Sequence, residues 1–244
     1  MRNLSSAGLL DLWDRGLTGS SGAELHPIDR GLLILAAAFS EIPFDTLADW
    51  ALGRRNGSLA AWHVENFGPR LDAWIECPSC GEKLEFEVDA RLLTGKGAEA
   101  ATVIEHGGRS FRVPTSRDLA RIAGEMDAAA AAMRLVEGCC LDADRAHASS
   151  ESAWSEIDLE EVGEKMAAAD PMAEVRLTFQ CAACAKEWSE ALDIAQFVWM
   201  ELNAAATRLL HDVHTLASAY GWSEGDILAM SEARRARYVA MVLD

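Results

Sequence analysis

The 244 residues, half of them hydrophobic, are enough to bury a sizeable core in one metal-linked domain or two small ones. Against 39 acidic side chains stand only 22 basic ones, a formal charge of -17 with no Lys/Arg-rich run, so a phosphate backbone would be repelled and nucleic-acid binding is not expected. The longest apolar run, residues 32–39, falls far short of the roughly 20 that span a bilayer, and Asp11 and Asp14 break the first apolar stretch where a signal peptide needs continuity. A soluble cytoplasmic protein is therefore expected, its six cysteines kept reduced for metal or core.

Ser5 or Ser6 can cap a first helix with Leu9, Leu10 and Trp13 on one face and Gly16 at its end. Residues 18–22 read as a loop, and Pro27 opens a second helix through Leu35 and Phe39 that stops before Pro43. A third helix over residues 45–52 is expected to end at Gly53. Arg54, Arg55 and Asn56 then form a polar turn, and Ser58 caps a fourth helix through Trp62 and Val64. His63 in that helix reads as a surface or interface histidine. Phe67, Gly68 and Pro69 close the segment.

Leu84, Phe86 and Val88 alternate with Glu85, Glu87 and Asp89, the period of a strand with one buried face. A short helix at residues 91–93 and a flexible stretch at 95–97 follow. Residues 102–105 and 109–113 flank His106, Gly107 and Gly108 as a hairpin with a glycine turn. After Pro114, Thr115 or Ser116 caps one long helix with an apolar stripe of Leu119, Ile122, Met126, Ala130 and Met133. Cys139 and Cys140 read as buried or idle thiols, residues 142–152 as a polar loop, and residues 157–168 as an acidic amphipathic helix broken by Asp170 and Pro171. Val175, Leu177 and Phe179 form another strand. The helix over residues 195–220 places Leu202, Ala206, Leu209, Val213, Leu216 and Tyr220 on one face, with His211 and His214 read as dipole-compatible rather than metal-binding. Gly221 stops it. Trp222 can pack back on Leu216 or Ala217 and staple against Ile227, Ser223 and Asp226 form a capping box, and Ser231 starts a last helix.

Two stretches organise the chain. Residues 74–89 contain Cys77-Pro78-Ser79-Cys80-Gly81, and residues 178–193 contain Cys181-Ala182-Ala183-Cys184-Ala185. A shift of 104 positions lays the cysteines on one another, Leu84 on Trp188, Val88 on Leu192 and Asp89 on Asp193. Two residues between paired cysteines let one tight turn offer both sulfurs to a tetrahedral ion, so Cys77, Cys80, Cys181 and Cys184 are the expected ligands of one structural Zn2+. Reduced core thiols, a disulfide pair or a vestigial site are the alternatives. Gly81 suits the left-handed backbone after a second cysteine, and Ala185 does not.

The expected architecture is α+β and mainly α-helical: a split zinc ribbon of two β-hairpin knuckles with a large helical insertion and flanking helices. Its regions are residues 1–72 (helical), 73–93 (first knuckle), 94–174 (inserted hairpin and helices), 175–194 (second knuckle) and 195–244 (C-terminal helices). Trp62, Trp74 and Trp188 are expected to fill core around the ribbon.

Tyr220-Gly221-Trp222-Ser223-Glu224, Asp226-Ile227-Leu228 and the segment from Ser231 through Arg234, Arg235 and Tyr238, preceded by His211 and His214, resemble the end of a known family. It comprises the baseplate-hub assembly proteins of T-even-type contractile phage tails and related proteins of contractile injection systems. The resemblance extends through Leu52-Gly53-Arg54-Arg55, Phe67-Gly68, both knuckles and Phe111-Arg112-Val113-Pro114, and so covers nearly the whole chain. Ala182 and Ala185 depart from it, standing where Cys-Pro-x-Cys-Gly would be expected. Membership implies a baseplate protein with no catalytic residues, acting in the cytoplasm or in the assembled particle.

The leading expectation is thus a non-enzymatic interaction protein whose partners are baseplate or tail subunits, with no nucleic acid, membrane or small-molecule substrate. Arg234, Arg235 and Arg237, a basic island in an acidic chain, are the candidate partner-binding residues. The alternatives are a thiol- or zinc-dependent enzyme and a zinc-ribbon nucleic-acid module. Both knuckles lie between strands rather than at a helix start, and no nucleophile elbow, phosphate loop or His-Glu-x-x-His is present.

Overall fold

A computed structural model of the chain describes residues 4–18, 25–95, 97–99, 102–142 and 155–243. The expected polar loop at 142–152 lies, beyond Asp142, outside the described residues. In chain order the elements are α1 (Ser6–Leu17), α2 (Pro27–Ala38), α3 (Phe44–Ala48), α4 (Leu52–Phe67), β1 (Arg70–Glu76), β2 (Lys83–Asp89), a 3-10 turn (Ala90–Leu93), β3 (Val103–His106), β4 (Arg109–Arg112), α5 (Ser116–Ile122), α6 (Ala128–Cys139), α7 (Glu156–Ala169), β5 (Val175–Gln180), β6 (Glu187–Leu192), α8 (Ile194–Tyr220), α9 (Glu224–Leu228) and α10 (Glu232–Leu243). The fold is α+β and mostly helical, and the strands among the described residues pair as three separate antiparallel hairpins.

The main core forms where α1, α2 and α4 pack on α8, a helix of 27 residues and so about 40 Å long. Leu12, Ile34, Leu35, Leu59, Trp62, Val198 and Leu202 are buried together there, joined by Leu71 from the base of β1. Leu10, with Leu9 and Trp13 beside it, packs on Ala206 and Leu209, and the burial of Leu12 in the main core shows that the helix buries more than the expected Leu9, Leu10 and Trp13 face. Gly16 does not end α1. The helix runs on to Leu17, and Gly16 is the point where the Trp199 ring comes so close that any Cβ would collide with it.

The largest departure from the sequence reading is α4. Arg54, Arg55 and Asn56 are not a turn, and Ser58 is not a cap, because one helix spans the whole region from Leu52. Its first turn is secured from a distance. The buried Asp170 carboxylate accepts from Gly53 N (2.8 Å), a donor that the helix start leaves open, and from Ala98 N (2.8 Å) in the loop beside it. Asn56 is buried and donates to the carbonyls of Met172 (3.0 Å) and Ala173 (3.1 Å), while Arg55 donates to Asn56 Oδ1. Residues 95–97, expected to be flexible, supply two glycines to the same contact: the Gly95 carbonyl sits on Gly57, and Gly97 lies against the Gly53–Arg54 backbone. His63 is fully buried rather than a surface residue. Neither ring nitrogen is hydrogen-bonded among the described residues, and burial lowers its pKa. His63 is accordingly a neutral packing residue against Phe67.

The inserted hairpin turns at Gly107 (φ 57°) and Gly108 (φ 72°), the paired left-handed residues of a type I′ turn. The single long helix expected after it is two. Asp127 caps α6 by accepting from Ala129 N (2.8 Å) and Ala130 N (3.3 Å), so the stripe ends at Ile122 and Met126 is left 97% exposed. A second core of Phe111, Val136, Cys139, Val162 and Met166 unites this hairpin with α6 and α7. Arg112 donates to both oxygens of the buried Asp118 (2.6 and 2.8 Å), which also completes a capping box with Thr115.

Two outcomes follow from these buried carboxylates. Asp170→Ala strands two backbone donors and is expected to lower stability by about 1–3 kcal/mol in urea denaturation at neutral pH. For Asp118, burial alone would push the carboxyl up, but Arg112 and Thr115 outweigh it and hold it below its ordinary value. A depressed folded pKa contributes stability that is present above the unfolded value of about 3.9 and is lost as pH falls through the folded one. The stability gap between wild type and Asp118→Asn should therefore be full at neutral pH and shrink below about pH 4.

Candidate metal centre

Each pair of knuckle cysteines sits on a hairpin whose two faces differ. In the first, Leu71, Ala73 and Ile75 stand opposite Val88, Phe86 and Leu84 on the apolar face; in the second, Val175 faces Leu192 and Phe179 faces Trp188. The strand ends are closed by the same turn twice. Cys77 N donates to Glu82 O (2.8 Å) and Gly81 N to Cys77 O (2.9 Å); Cys181 N donates to Lys186 O and Ala185 N to Cys181 O, both at 2.9 Å. The turn requires a left-handed residue after the second cysteine, which Gly81 provides at φ 74°. Ala185 adopts φ 58° despite its Cβ, as the one such non-glycine among the described residues, at a cost of about 1–2 kcal/mol. The alanine thus departs from the expected residue type without departing from the geometry.

The turns bring all four sulfurs within 4.8 Å of one another, with Cys77 Sγ to Cys184 Sγ at 3.7 Å and Cys80 Sγ to Cys181 Sγ at 3.6 Å. A tetrahedral ion with sulfur ligands at about 2.3 Å has ligand–ligand edges of about 3.8 Å, so the cluster could hold a metal ion and is compatible with zinc. These separations are far beyond the roughly 2.05 Å of a disulfide bond. Cys77 and Cys181 are buried and Cys80 and Cys184 exposed. Among the described residues no other His, Cys, Asp or Glu side chains gather in this way.

The local electrostatics divide the thiols. Burial raises Cys77, but the backbone N–H groups of Ser79 and Cys80 and the neighbouring sulfurs outweigh it and bring it down to about 7. The Glu82 backbone favours the Cys80 thiolate, yet the sulfurs of Cys184 and Cys181 together with burial push it up to about 12. Four thiols this close resist joint ionisation, and a shared cation removes that conflict.

Aromatic side chains join the two hairpins below the sulfurs. Phe86 meets Phe179 edge-on at 5.0 Å, and Trp188 stacks on Phe179 at 5.5 Å. Trp188 thus lies in this cluster as expected, whereas Trp62 belongs to the main helical core and Trp74 is 57% exposed, with the Lys83 ammonium over its ring. Cys139, fully buried in the second core, is pushed up to about 12 by burial and takes no part in the cluster. His211 and His214 are exposed.

The basic island at the C-terminus is divided. Arg235 is buried, bonded to Asp212 Oδ2 (3.0 Å) and to Ser6 Oγ (3.4 Å), and so ties α10 to α8 and α1 rather than facing a partner. Arg234 and Arg237 are exposed. Gly221 ends α8 at φ 68° as expected, and Trp222 stacks on Tyr220 (4.6 Å) and meets Tyr238 edge-on. Ser223 caps α9, with its hydroxyl donating to Asp226 Oδ2 (2.6 Å), an interaction that replaces the reciprocal half of the expected box.

One polar residue escaped the sequence reading. Glu190 stands opposite Leu177 on the apolar face of the second hairpin, and the 104-residue overlay puts it where the first hairpin has Phe86. A residue-by-residue comparison of the two hairpins carries that signal.

No protein-family model, no curated protein and no solved structure matches the chain.

Titration with Co2+ is expected to give the intense sulfur-to-cobalt absorption of a tetrahedral thiolate site at one equivalent. Cys77→Ser and Cys184→Ser should each abolish it and lower the melting temperature, because metal binding and folding are linked. Cys139→Ser, remote from the cluster, should leave the absorption unchanged.

Proposed function

We propose that the chain is a non-enzymatic interaction protein whose two knuckle hairpins form a split zinc ribbon, and that it assembles with the baseplate of a contractile phage tail or phage-tail-like injection system. The observation that carries the first half is the closed donor set: Cys77, Cys80, Cys181 and Cys184 can occupy all four positions of a tetrahedral ion. A catalytic zinc keeps one position for water or substrate, and four thiolates leave none. A redox pair works from the start of a helix, where the thiolate is stabilised, whereas both knuckles link strands. The baseplate setting is supported by the family resemblance of residues 220–238 and of the knuckles.

Protein purified without chelator should contain close to one equivalent of zinc, and the chain should co-purify with baseplate or tail subunits from particle-producing cells. A folded protein free of metal would remove the ribbon; consistent failure to recover any such subunit would remove the setting. Arg234→Glu with Arg237→Glu is expected to weaken that association about tenfold at unchanged melting temperature and zinc content. Arg235→Glu should instead lower the melting temperature, since it breaks the buried pair with Asp212.

A further inference from the structure

Beside the sulfur cluster the two hairpins and α8 enclose an open cleft of about 420 Å³. Its apolar lining includes Ile75 and Phe86 from the first hairpin, Leu177 and Phe179 from the second, and Phe197 and Met200 from α8. Met200 is 57% exposed, and Trp74, equally exposed, stands at the edge. Apolar surface of this kind left open between packed elements marks a contact site.

Three carboxylates, Asp72, Glu190 and Glu201, line the same cleft. Asp72 is paired with Arg70 at 3.1 Å. Glu190 and Glu201 have no hydrogen-bond or ion-pair partner among the described residues. The period of β6 calls for an apolar residue where Glu190 stands, between Trp188 and Leu192 on the face that the first hairpin fills with Phe86. A carboxylate there gains nothing from the chain's own packing.

We propose that this cleft docks a segment of a partner protein that presents apolar side chains beside a lysine or arginine. The aromatic floor takes the apolar side chains, and Glu190 and Glu201 take the cation. This deepens the interaction-protein reading and rests on it. The carboxylates select against a phosphate-bearing ligand, and the -17 charge disfavours a second copy of the chain as occupant. The cleft is built by both hairpins, which the Phe86–Phe179 contact and the sulfur cluster join, so its shape is coupled to that cluster.

The test uses the zinc-loaded full chain and two designed amphipathic peptides, one with Leu and Phe anchors flanked by arginines and a twin with glutamates in their place. Fluorescence anisotropy should show the cationic peptide binding at least about tenfold tighter than its twin, an advantage that narrows at high salt. Met200→Lys, and separately Glu190→Lys with Glu201→Lys, should each weaken it about tenfold at unchanged zinc content and melting temperature. Equal binding of the twins, or binding indifferent to these variants, overturns the proposal. So does sedimentation showing that the chain alone self-associates and that Met200→Lys abolishes it. Co-purification with baseplate subunits that survives Met200→Lys overturns the cleft assignment and leaves the proposed function standing. Cleft-dependent binding of the cationic peptide by a chain that recovers no baseplate subunit supports the cleft and removes the baseplate setting.

Discussion

The approach of four sulfurs from two hairpins far apart in sequence is the contact on which the joining of those hairpins depends. A two-stranded hairpin is at best marginally stable by itself, and each of these has only one partly covered face. Their bases are held because Leu71, Val88, Val175 and Leu192 reach the main core. Farther out, the Phe86–Phe179 contact and the sulfur cluster are what join one hairpin to the other. The long intervening segment is tolerable because loop-closure entropy grows only as the logarithm of length.

That segment folds around its own small core and is attached to the helical body by buried polar contacts together with Met172, which packs on the main core. Asp170, at the end of α7 and just before β5, reaches back to α4, and Asn56 reaches out to meet the chain two residues later. Buried polar contacts have strict geometry, so they fix direction where hydrophobic packing would allow slippage. The left-handed Gly68, the close glycine contacts along α4 and the Asp170 carboxylate together determine how each hairpin leaves the body. The alignment of the sulfurs is therefore prepared well away from the sulfurs.

What could be read from the sequence was what local chemistry decides. Caps at Ser5, Thr115 and Ser223, the Gly107–Gly108 turn, the αL residue at Gly221 and both knuckles follow from side chains within a few positions of the structure they specify. The misreadings arise where a distant group decides. Gly53 resembled a helix end until Asp170 supplied the missing acceptor, and Gly16 resembled one until Trp199 filled its space. Arg235 looked like part of a surface island because its partner Asp212 lies 23 residues away on another helix. The break at Asp127 is the exception: its capping residue was local, but the regular spacing of Met126 and Ala130 concealed it. The four cysteines were recognisable only because the same short pattern occurs twice.

The division of the cluster between residues 77–80 and 181–184 also has a consequence for synthesis. At translation rates of about 5–20 residues per second, the hundred residues between the knuckles take roughly 5–20 s to emerge. Throughout that interval the nascent chain carries a half-site of two sulfurs, able to grip an ion only loosely and to exchange it freely. The helices α1 to α4 can meet one another in this time, but α8, against which they pack, comes after the second knuckle. Closure of the cluster and completion of the core thus fall at nearly the same moment, making the last third of the chain the part that commits the first.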